Sequence, residues 1–175
     1  MIGHTKFRKG AYSKWLKQSE HPFYKQYEDE FKTLGDVFYH NPYTYSYTKR
    51  QKAMAEKTKY YDLVLEIHFN SSNGKASGCE ALYYYKNTKT REIASEFCKE
   101  YSKLCNSRNR GAKPLLPIIN LDTGKMARNQ ERGFGFVYHQ KPAAIILEPF
   151  FGDNLIDVQK FEIKSFIEAI RRSLP

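Results

Sequence analysis

The sequence lacks any long apolar run. None of its segments approaches the roughly 20 consecutive apolar residues that a membrane-spanning helix requires. Its first residues, Met-Ile-Gly-His-Thr-Lys, also lack the apolar stretch of a secretory signal peptide. We therefore expect a soluble protein that is made in the cytoplasm and does not insert into a membrane.

Cysteine is scarce, with three residues in a chain of 175. A small and odd number of cysteines argues against a disulfide framework. Cys98 and Cys105 lie seven positions apart on the apolar side of a predicted helix. We interpret them as small core residues rather than as metal ligands.

Acidic residues are outnumbered, with 19 Asp and Glu against 29 Lys and Arg, which gives a formal charge of +10 and a pI near 9.4. This excess favours an anionic partner, either a nucleic acid or the polyanionic envelope of a bacterium. It is densest over residues 6–17, where basic side chains alternate with Tyr12, Trp15 and other apolar residues. This segment could pack against sugar rings, stack on the bases of a single strand, or form a solvated loop with Trp15 buried.

The order of the predicted elements indicates an α/β fold. The length suffices for a single domain, which we place over residues 1–175. Apolar periodicity predicts helices over 22–34, 48–59, 93–104 and 161–170, and strands over 37–39, 62–69, 79–85 and 145–147. The segment 106–129 is predicted to be irregular because Pro114 and Pro117 interrupt it. Alternating strands and helices favour a mostly parallel twisted sheet, flanked by helices on both faces.

His68 is the most informative candidate site residue, since it ends the apolar run Asp62 to Phe69 and is followed by Asn70. The ends of strands are where α/β folds build their sites, although a single histidine there is more often structural than a metal ligand. Candidate partners are His4, Glu20 and Glu148, the last of which ends a second apolar run. Two histidines and one carboxylate with an open fourth position are the ligand set of a hydrolytic zinc site. A further carboxylate would be the expected general base.

Four ordered blocks of residues carry a resemblance to a known family. The blocks are Gly3-His4 with Gly10-Ala11; Ser19 to Phe23, which includes Glu20; Ile67 to Asn70 with Gly78-Cys79-Glu80; and Arg132-Gly133 with Pro142-Ala143, Glu148, Phe151 and Asn154. On these blocks the sequence resembles the zinc-dependent N-acetylmuramoyl-L-alanine amidases of the type 3 group, especially those that phages carry as endolysins. The resemblance covers most of the chain.

The resemblance implies a catalytic role for each block. It implies that a Zn²⁺ cofactor is held by His4, Glu20 and His68, and that Glu148 is the catalytic base. The substrate would be peptidoglycan, cut at the amide bond between N-acetylmuramic acid and the L-alanine of the stem peptide. Residues expected to contact this substrate are Asn70, Tyr12 and Trp15.

The resemblance also implies a biological setting. The whole chain would be one catalytic domain without a separate wall-binding module, and it would act as a monomer. We expect synthesis in the host cytoplasm, action on the cell-wall peptidoglycan, a role in phage-induced lysis, and no nucleic-acid partner.

Three departures from the family pattern affect these expectations. Only Met1, Ile2 and Gly3 precede His4, so the family's first strand must be very short here or begin upstream. Thr5 replaces a glycine. Glu66 replaces a small residue two positions before His68, and strand alternation points both side chains to one face. Glu66 could orient an imidazole or pair with a nearby lysine.

Some choices stay open. Glu28 and Glu30 also follow Glu20 in the first predicted helix, but Glu20 opens that helix and is preferred as the ligand. The isolated His40 and His139 are expected to be structural. Two other functions remain possible from the residues alone: a different zinc peptidase or deacetylase, or a non-catalytic basic protein that binds cell wall or nucleic acid.

Overall fold

The computed structural model describes residues 1–127 and 130–175. The strands are β1 (Tyr12–Ser13), β2 (Gln18–Ser19), β3 (Leu63–Ile67), β4 (Cys79–Tyr84), β5 (Asn109–Leu115) and β6 (Ala143–Glu148). The helices are α1 (Glu20–Lys25), α2 (Glu28–Lys32), α3 (Tyr47–Lys57), α4 (Thr88–Leu104), α5 (Phe134–His139), α6 (Leu155–Lys160) and α7 (Ile163–Ser173).

The central sheet has four strands in the order β3-β6-β4-β5. Strands β3 and β6 are parallel, as are β4 and β5, whereas β4 and β6 are antiparallel. The carboxyl ends of β3 and β6 therefore meet the amino end of β4, and Glu80 lies opposite Glu148 in the register. This confirms an α/β fold with a mixed, mostly parallel sheet.

Strand β6 separates two apolar layers. Its side chains alternate, so that Ile145 and Leu147 enter the larger core while Ala144 and Ile146 enter the smaller one. In the larger core α4 and α7 pack on one face of the sheet, and α5 covers the other face with α3 beside it. Glu148 is the last residue of this buried apolar strand, which therefore places it where the carboxyl ends of β3 and β6 meet the amino end of β4.

The strand that the family pattern implies before His4 is reduced to a short stretch. Ile2 forms an isolated parallel bridge with Ile67, and the Gly3 amide donates to the Ile67 carbonyl at 3.1 Å. This pairing adds one more extended segment beside β3. It carries His4 to the same edge of the sheet as His68.

Several sequence-based boundaries were wrong. The helix predicted over 22–34 is two helices, because Tyr27 leaves the helical conformation with φ −103° and ψ 23°. Residues 37–39 form no strand, and only the Phe38 carbonyl accepts a backbone bond, from Ile2. The helix predicted over 161–170 is α7, and α6, which precedes it, was not predicted. Helix α5 was not predicted.

The segment 106–129 was wrongly predicted to be irregular, since it contains β5. Pro114 lies within this strand, and β5 is at the edge of the sheet, where a missing backbone N–H leaves no neighbour without a donor. The last two residues of the predicted segment, Arg128 and Asn129, lie outside the described residues.

Two further expectations concern composition. Cys98 and Cys105 are buried and free, as is Cys79, which confirms that the first two are core residues. Across residues 1–127 and 130–175, no helix combines the length and apolar character needed to cross a membrane.

Candidate active site

His4, Glu20 and His68 converge at the edge where β3 ends. One ligand-type atom from each lies within 4.8 Å of the other two. His68 Nδ1 is 2.8 Å from Glu20 Oε2, and His4 Nε2 is 3.4 Å from the same oxygen. The fold thus brings together the three candidate ligands from the sequence, although they are spread over 64 positions of the chain.

Two glycines make room for this cluster. A Cβ atom on Gly3 would lie 2.3 Å from Cε1 of His68, and one on Gly10 would lie 2.5 Å from Cδ2 of His4. Gly10 also has φ +84°, a backbone conformation that residues other than glycine rarely adopt. His4 itself has φ +66°, so the backbone turns sharply at the ligand. The Gly-His and Gly-Ala pairs in the sequence therefore have a steric reason.

Glu20 is fixed by its own backbone and by a neighbouring loop. Its amide donates to the Ala11 carbonyl at 3.1 Å, and the Ala11 amide donates to Glu20 Oε1 at 2.7 Å. Only 2% of Glu20 is exposed. Burial alone would raise the pKa of Glu20, but the imidazoles of His4 and His68 lower it to about 2. The residue is therefore an anion that is held in place for a cation.

The other acids of the first helical region are not part of the cluster. Glu28 accepts a hydrogen bond from the Tyr39 hydroxyl and pairs with Lys32. Glu30 follows it in α2, and the described contacts of Glu30 are limited to its backbone. The preference for Glu20 over these acids agrees with the observed geometry.

His68 is held at both ring nitrogens. Nδ1 faces Glu20, and Nε2 lies 3.4 Å from Glu66 Oε2. Burial opposes a charge on His68, yet the carboxylates of Glu20 and Glu66 raise its pKa to about 10. The Tyr24 hydroxyl donates to the His68 carbonyl at 2.8 Å, which fixes the backbone at this point.

Glu66 links His68 to a second histidine. His40 Nε2 lies 3.1 Å from Glu66 Oε1, and both side chains are almost fully buried. Burial would raise the pKa of Glu66, but His40 and His68 hold it below its usual range. Of the two interpretations of Glu66, the geometry favours an imidazole-orienting carboxylate over a lysine pair. His40 had no partner at sequence level, since its partner is 26 residues away.

The cluster has the properties of a metal site. His4 Nε2 is buried and has no hydrogen-bond partner within the described ranges, although it points toward Glu20. A buried polar nitrogen without a partner is costly unless a ligand satisfies it. Two imidazole nitrogens and one carboxylate oxygen are a donor set that suits Zn²⁺. The residues present therefore fit a bound divalent metal.

Glu148 occupies the neighbouring strand end. Its Oε2 accepts a hydrogen bond from Asn70 Nδ2 at 2.8 Å, and the same nitrogen donates to Glu80 Oε1 at 2.6 Å. Arg110 Nε donates to Glu80 Oε2 at 2.6 Å. Burial raises the pKa of Glu148 to about 7; His68 opposes this shift and Glu80 adds to it. The carboxyl group can thus exchange a proton near neutral pH.

Asn70, expected to contact substrate, uses its side chain within the protein. Its amide nitrogen binds both carboxylates, and its Oδ1 accepts the Ser71 amide at 2.8 Å. The Glu80 and Arg110 contacts were missed at sequence level. The Gly-x-Glu match was a signal for Glu80, but Arg110 lies on the edge strand that had been predicted to be irregular.

A cavity of about 240 Å³ joins these groups. Glu20, His68, Asn70 and Glu148 all line it, together with Arg132. Two of the three candidate metal ligands, Glu20 and His68, therefore face the same solvent-open space as the Glu148 carboxyl group. We call this space the reaction cavity.

Tyr12 and Trp15 are not among the residues that line the reaction cavity. Tyr12 is 62% exposed and Trp15 is 42% exposed, so the interpretation of Trp15 as a buried residue was wrong. Trp15 Nε1 donates to the Asp153 carbonyl at 3.3 Å, and Lys14 lies over its ring. His139 ends α5 and borders a different cavity.

Comparisons with known proteins agree with this geometry. Residues 2–174 match the family model described as N-acetylmuramoyl-L-alanine amidase. No match was found among curated protein sequences.

Solved structures with the same fold include one endolysin catalytic domain and two amidases. The catalytic domain of the CD27L endolysin, which targets Clostridium difficile, is 24% identical with a TM-score of 0.74, covering 98% of this chain and 92% of that one. An N-acetylmuramoyl-L-alanine amidase from C. difficile 630 is 21% identical with a TM-score of 0.73, covering 98% and 91%. The catalytic domain of CwlV from Paenibacillus polymyxa var. colistinus is 18% identical with a TM-score of 0.71, covering 98% and 93%. With a family match over nearly its whole length, the chain belongs to the N-acetylmuramoyl-L-alanine amidase family.

Proposed function

We propose that this protein is a zinc-dependent hydrolase of the amide bond between N-acetylmuramic acid and L-alanine in peptidoglycan. The observation that carries the proposal is the reaction cavity, where His68 and Glu20 of the metal-type cluster and Glu148 face the same space. The family match supports the choice of peptidoglycan as substrate.

His4, Glu20 and His68 are the residues that would hold the metal. When bound, a zinc ion supplies a Lewis acid that polarises a carbonyl group and makes a water molecule more acidic. Glu66 keeps the Nε2 proton of His68 occupied, so that Nδ1 is the nitrogen available to the metal. The buried Glu20 carboxylate offsets part of the added positive charge.

Glu148 would move the protons. Its carboxylate accepts a proton from the water whose oxygen attacks the amide carbonyl carbon. It then returns that proton to the nitrogen as the C–N bond breaks. The products are the free lactyl carboxylate of the muramic acid and a stem peptide that begins with the amino group of L-alanine. A pKa near 7 suits a group that must both accept and donate a proton.

Asn70, Glu80 and Arg110 would act through Glu148. Asn70 donates to Oε2 of Glu148 and so holds the carboxyl group at the reaction cavity. Glu80 lies beside Glu148 and raises its pKa, while Arg110 Nε donates to Glu80 Oε2 and holds that side chain in place. These three residues therefore position the proton-transfer group and tune its basicity.

The test is an end-group measurement on purified peptidoglycan. We expect new L-alanine amino termini and no new reducing sugar ends. New reducing ends would indicate a glycosidase, and amino termini of other residues would indicate a peptidase of the stem. Binding without any new ends would show a non-catalytic wall-binding protein.

We further propose that residues 1–175 act as one catalytic domain in phage-induced lysis of a bacterial host, after synthesis in its cytoplasm. The similarity to the CD27L endolysin domain supports this setting. Expression in a susceptible bacterium should cause lysis only after the cytoplasmic membrane is permeabilised. Cells whose walls stay intact after permeabilisation, with active enzyme present, would contradict a lytic role.

A further inference from the structure

We propose that a second cavity, beside the three candidate metal ligands, binds a carboxylate of the stem peptide close to the bond that is cut. This inference rests on the proposed function. The cavity has a volume of about 350 Å³. Its lining includes Arg8, Arg50, Arg132, His40 and Gln51, and we call it the basic pocket.

The basic pocket is continuous with the reaction cavity. His68, Arg132 and Gly133 line both spaces. A substrate whose scissile amide lies beside the candidate metal ligands can therefore place its next residue in the basic pocket, since one extended residue spans about 3.5 Å. Glu148 lines the reaction cavity and is not among the residues that line the basic pocket.

Its three arginines form no ion pair with a carboxylate in the described part of the chain. Arg50 instead donates from one terminal nitrogen to the carbonyls of Thr44 and Tyr45, at 2.9 Å and 2.8 Å. The guanidinium of Arg8 lies 5.0 Å over the ring of Tyr45. Burial and the nearby charge of Arg8 lower the pKa of Arg50. Two cations are thus held close together by neutral groups, an arrangement that an anion would relieve.

Buried polar atoms without partners line the same pocket. His40 Nδ1, Gln51 Oε1 and Arg50 Nε have no hydrogen-bond partner among the described residues. Only 5% of His40 and 1% of Gln51 are exposed. Buried groups of this kind are satisfied by a ligand or by ordered water. Together they offer donors for an anion and an acceptor for an adjacent N–H.

The acidic residues that face the pocket do not neutralise it. Glu66 is one of them, and both of its oxygens are occupied by His40 and His68. Glu131 is the other, and it is exposed to solvent. The pocket therefore keeps net positive charge from its three arginines. A carboxylate next to an amide N–H fits both the charge and the unpartnered acceptor.

The stem peptide offers such a group directly after L-alanine. The second residue is an acidic residue whose amide N–H and α-carboxylate are on the same carbon, and some cell walls carry the amidated form of that carboxylate. The basic pocket would therefore distinguish D-isoglutamate from D-isoglutamine at this position. The arginines make it a specificity determinant for the wall chemistry that the enzyme attacks.

The experiment compares N-acetylmuramoyl-L-alanyl-γ-D-glutamyl-L-lysine with its α-amidated isoglutamine analogue as substrates of the zinc-loaded protein; in both, the γ-carboxyl of the second residue is blocked by its bond to lysine. We expect kcat/KM to be about tenfold or more higher for the acid, mainly through KM, as for a charge-assisted hydrogen bond. Arg50→Gln and Arg8→Gln should each reduce this ratio severalfold. Two variants are used because Arg50 also binds loop carbonyls, whereas the described side-chain contacts of Arg8 are its stacking on Tyr45 and its charge near Arg50. Arg91→Gln, on the exposed side of α4, is the control and should leave the ratio unchanged.

The outcomes separate the two proposals. Equal hydrolysis of both substrates by the wild type would show that the basic pocket does not bind this carboxylate, and would leave the amidase function intact. Hydrolysis of neither would contradict the proposed function. In that case calorimetric titration with the free dipeptide L-alanyl-D-isoglutamate decides: binding that is lost in Arg50→Gln supports the pocket, and no binding means that its polar atoms hold water only.

Discussion

Glu66 should control zinc affinity although it is not a metal ligand. It is 3% exposed and contacts Nε2 of both His40 and His68, at 3.1 Å and 3.4 Å. Removing a carboxylate that orients a ligand histidine typically weakens metal binding by about 10- to 100-fold. Glu66→Gln keeps the shape but presents an N–H to one imidazole, so we expect a loss of about tenfold. Glu66→Ala removes the partner of Nε2 on both imidazoles, so the loss should approach about 100-fold.

The expected loss of zinc affinity corresponds to about 1.4 to 2.7 kcal/mol. Glu66→Ala should also lower the free energy of unfolding of the metal-free protein, by roughly 1–3 kcal/mol for each imidazole Nε2 that loses its partner. His40→Gln, which acts on His68 only through Glu66, should have a smaller effect on zinc than either Glu66 variant.

Competition with a chromophoric chelator measures the zinc affinity, and circular dichroism checks that each variant is folded. Zinc affinity that stays at the wild-type value in folded Glu66→Gln and Glu66→Ala would refute the orienting role. The carboxylate would then be a partner of His40 alone.

Three other predictions concern the reaction cavity. Glu148→Ala should abolish turnover and leave stoichiometric zinc bound, as measured by metal analysis; loss of the zinc would show that Glu148 is a ligand. Gly10→Ala should weaken zinc binding because its Cβ would lie 2.5 Å from the His4 ring, whereas Gly124→Ala, with similar backbone strain at φ +64° and no atom within 4 Å, should leave zinc binding unchanged. An equal loss of zinc affinity in both variants would show that backbone strain, and not the contact with the His4 ring, weakens zinc binding. Glu148→Gln should raise the thermal stability of the metal-free protein at pH 8 but much less at pH 5.

The sign of the last effect follows from the raised pKa of Glu148, from 4.5 to about 7. A carboxyl that binds its proton more tightly when folded contributes stability below pH 4.5 and loses that contribution as the pH rises through 7. At about 1.4 kcal/mol per pKa unit, the rise from 4.5 to about 7 corresponds to a loss of at most about 3.5 kcal/mol, and the partial exposure of Glu148 reduces it. Glutamine stays neutral at every pH and avoids the loss. A stability difference that does not vary between pH 5 and pH 8 would contradict the raised pKa.

Local sequence pattern predicted the parts of the site that lie on buried strands. The apolar runs before His68 and Glu148 identify strands of the sheet, and a strand that is buried on both faces has few alternative positions. His4 and Glu20 are different, because no strand pattern leads to them; they were candidates by residue type, and the order of the family blocks supported their selection. Their positions depend on Gly3 and Gly10, whose steric role appears only when the imidazoles are in place.

Contacts between distant segments could not be predicted in this way. His40 and Glu66 pair across 26 residues, and His40 follows a segment that was wrongly predicted to be a strand. Strand β5 was missed because Pro114 and Gly111 normally interrupt strands, and the tolerance of an edge strand for proline depends on its place in the sheet. The basic pocket combines side chains from four separate segments, so no spacing in the sequence reveals it.

The most direct test of the account is zinc removal and restoration with the chemistry scored at the bond. Wild-type protein is stripped with a chelator, and the release of L-alanine amino termini from peptidoglycan is measured before and after one equivalent of zinc is returned. We predict no release without the metal and full release after one equivalent, with His4→Ala remaining inactive. Release that is unaffected by the chelator, while analysis shows no metal in the protein, would contradict the assignment of His4, Glu20 and His68 as a catalytic zinc site.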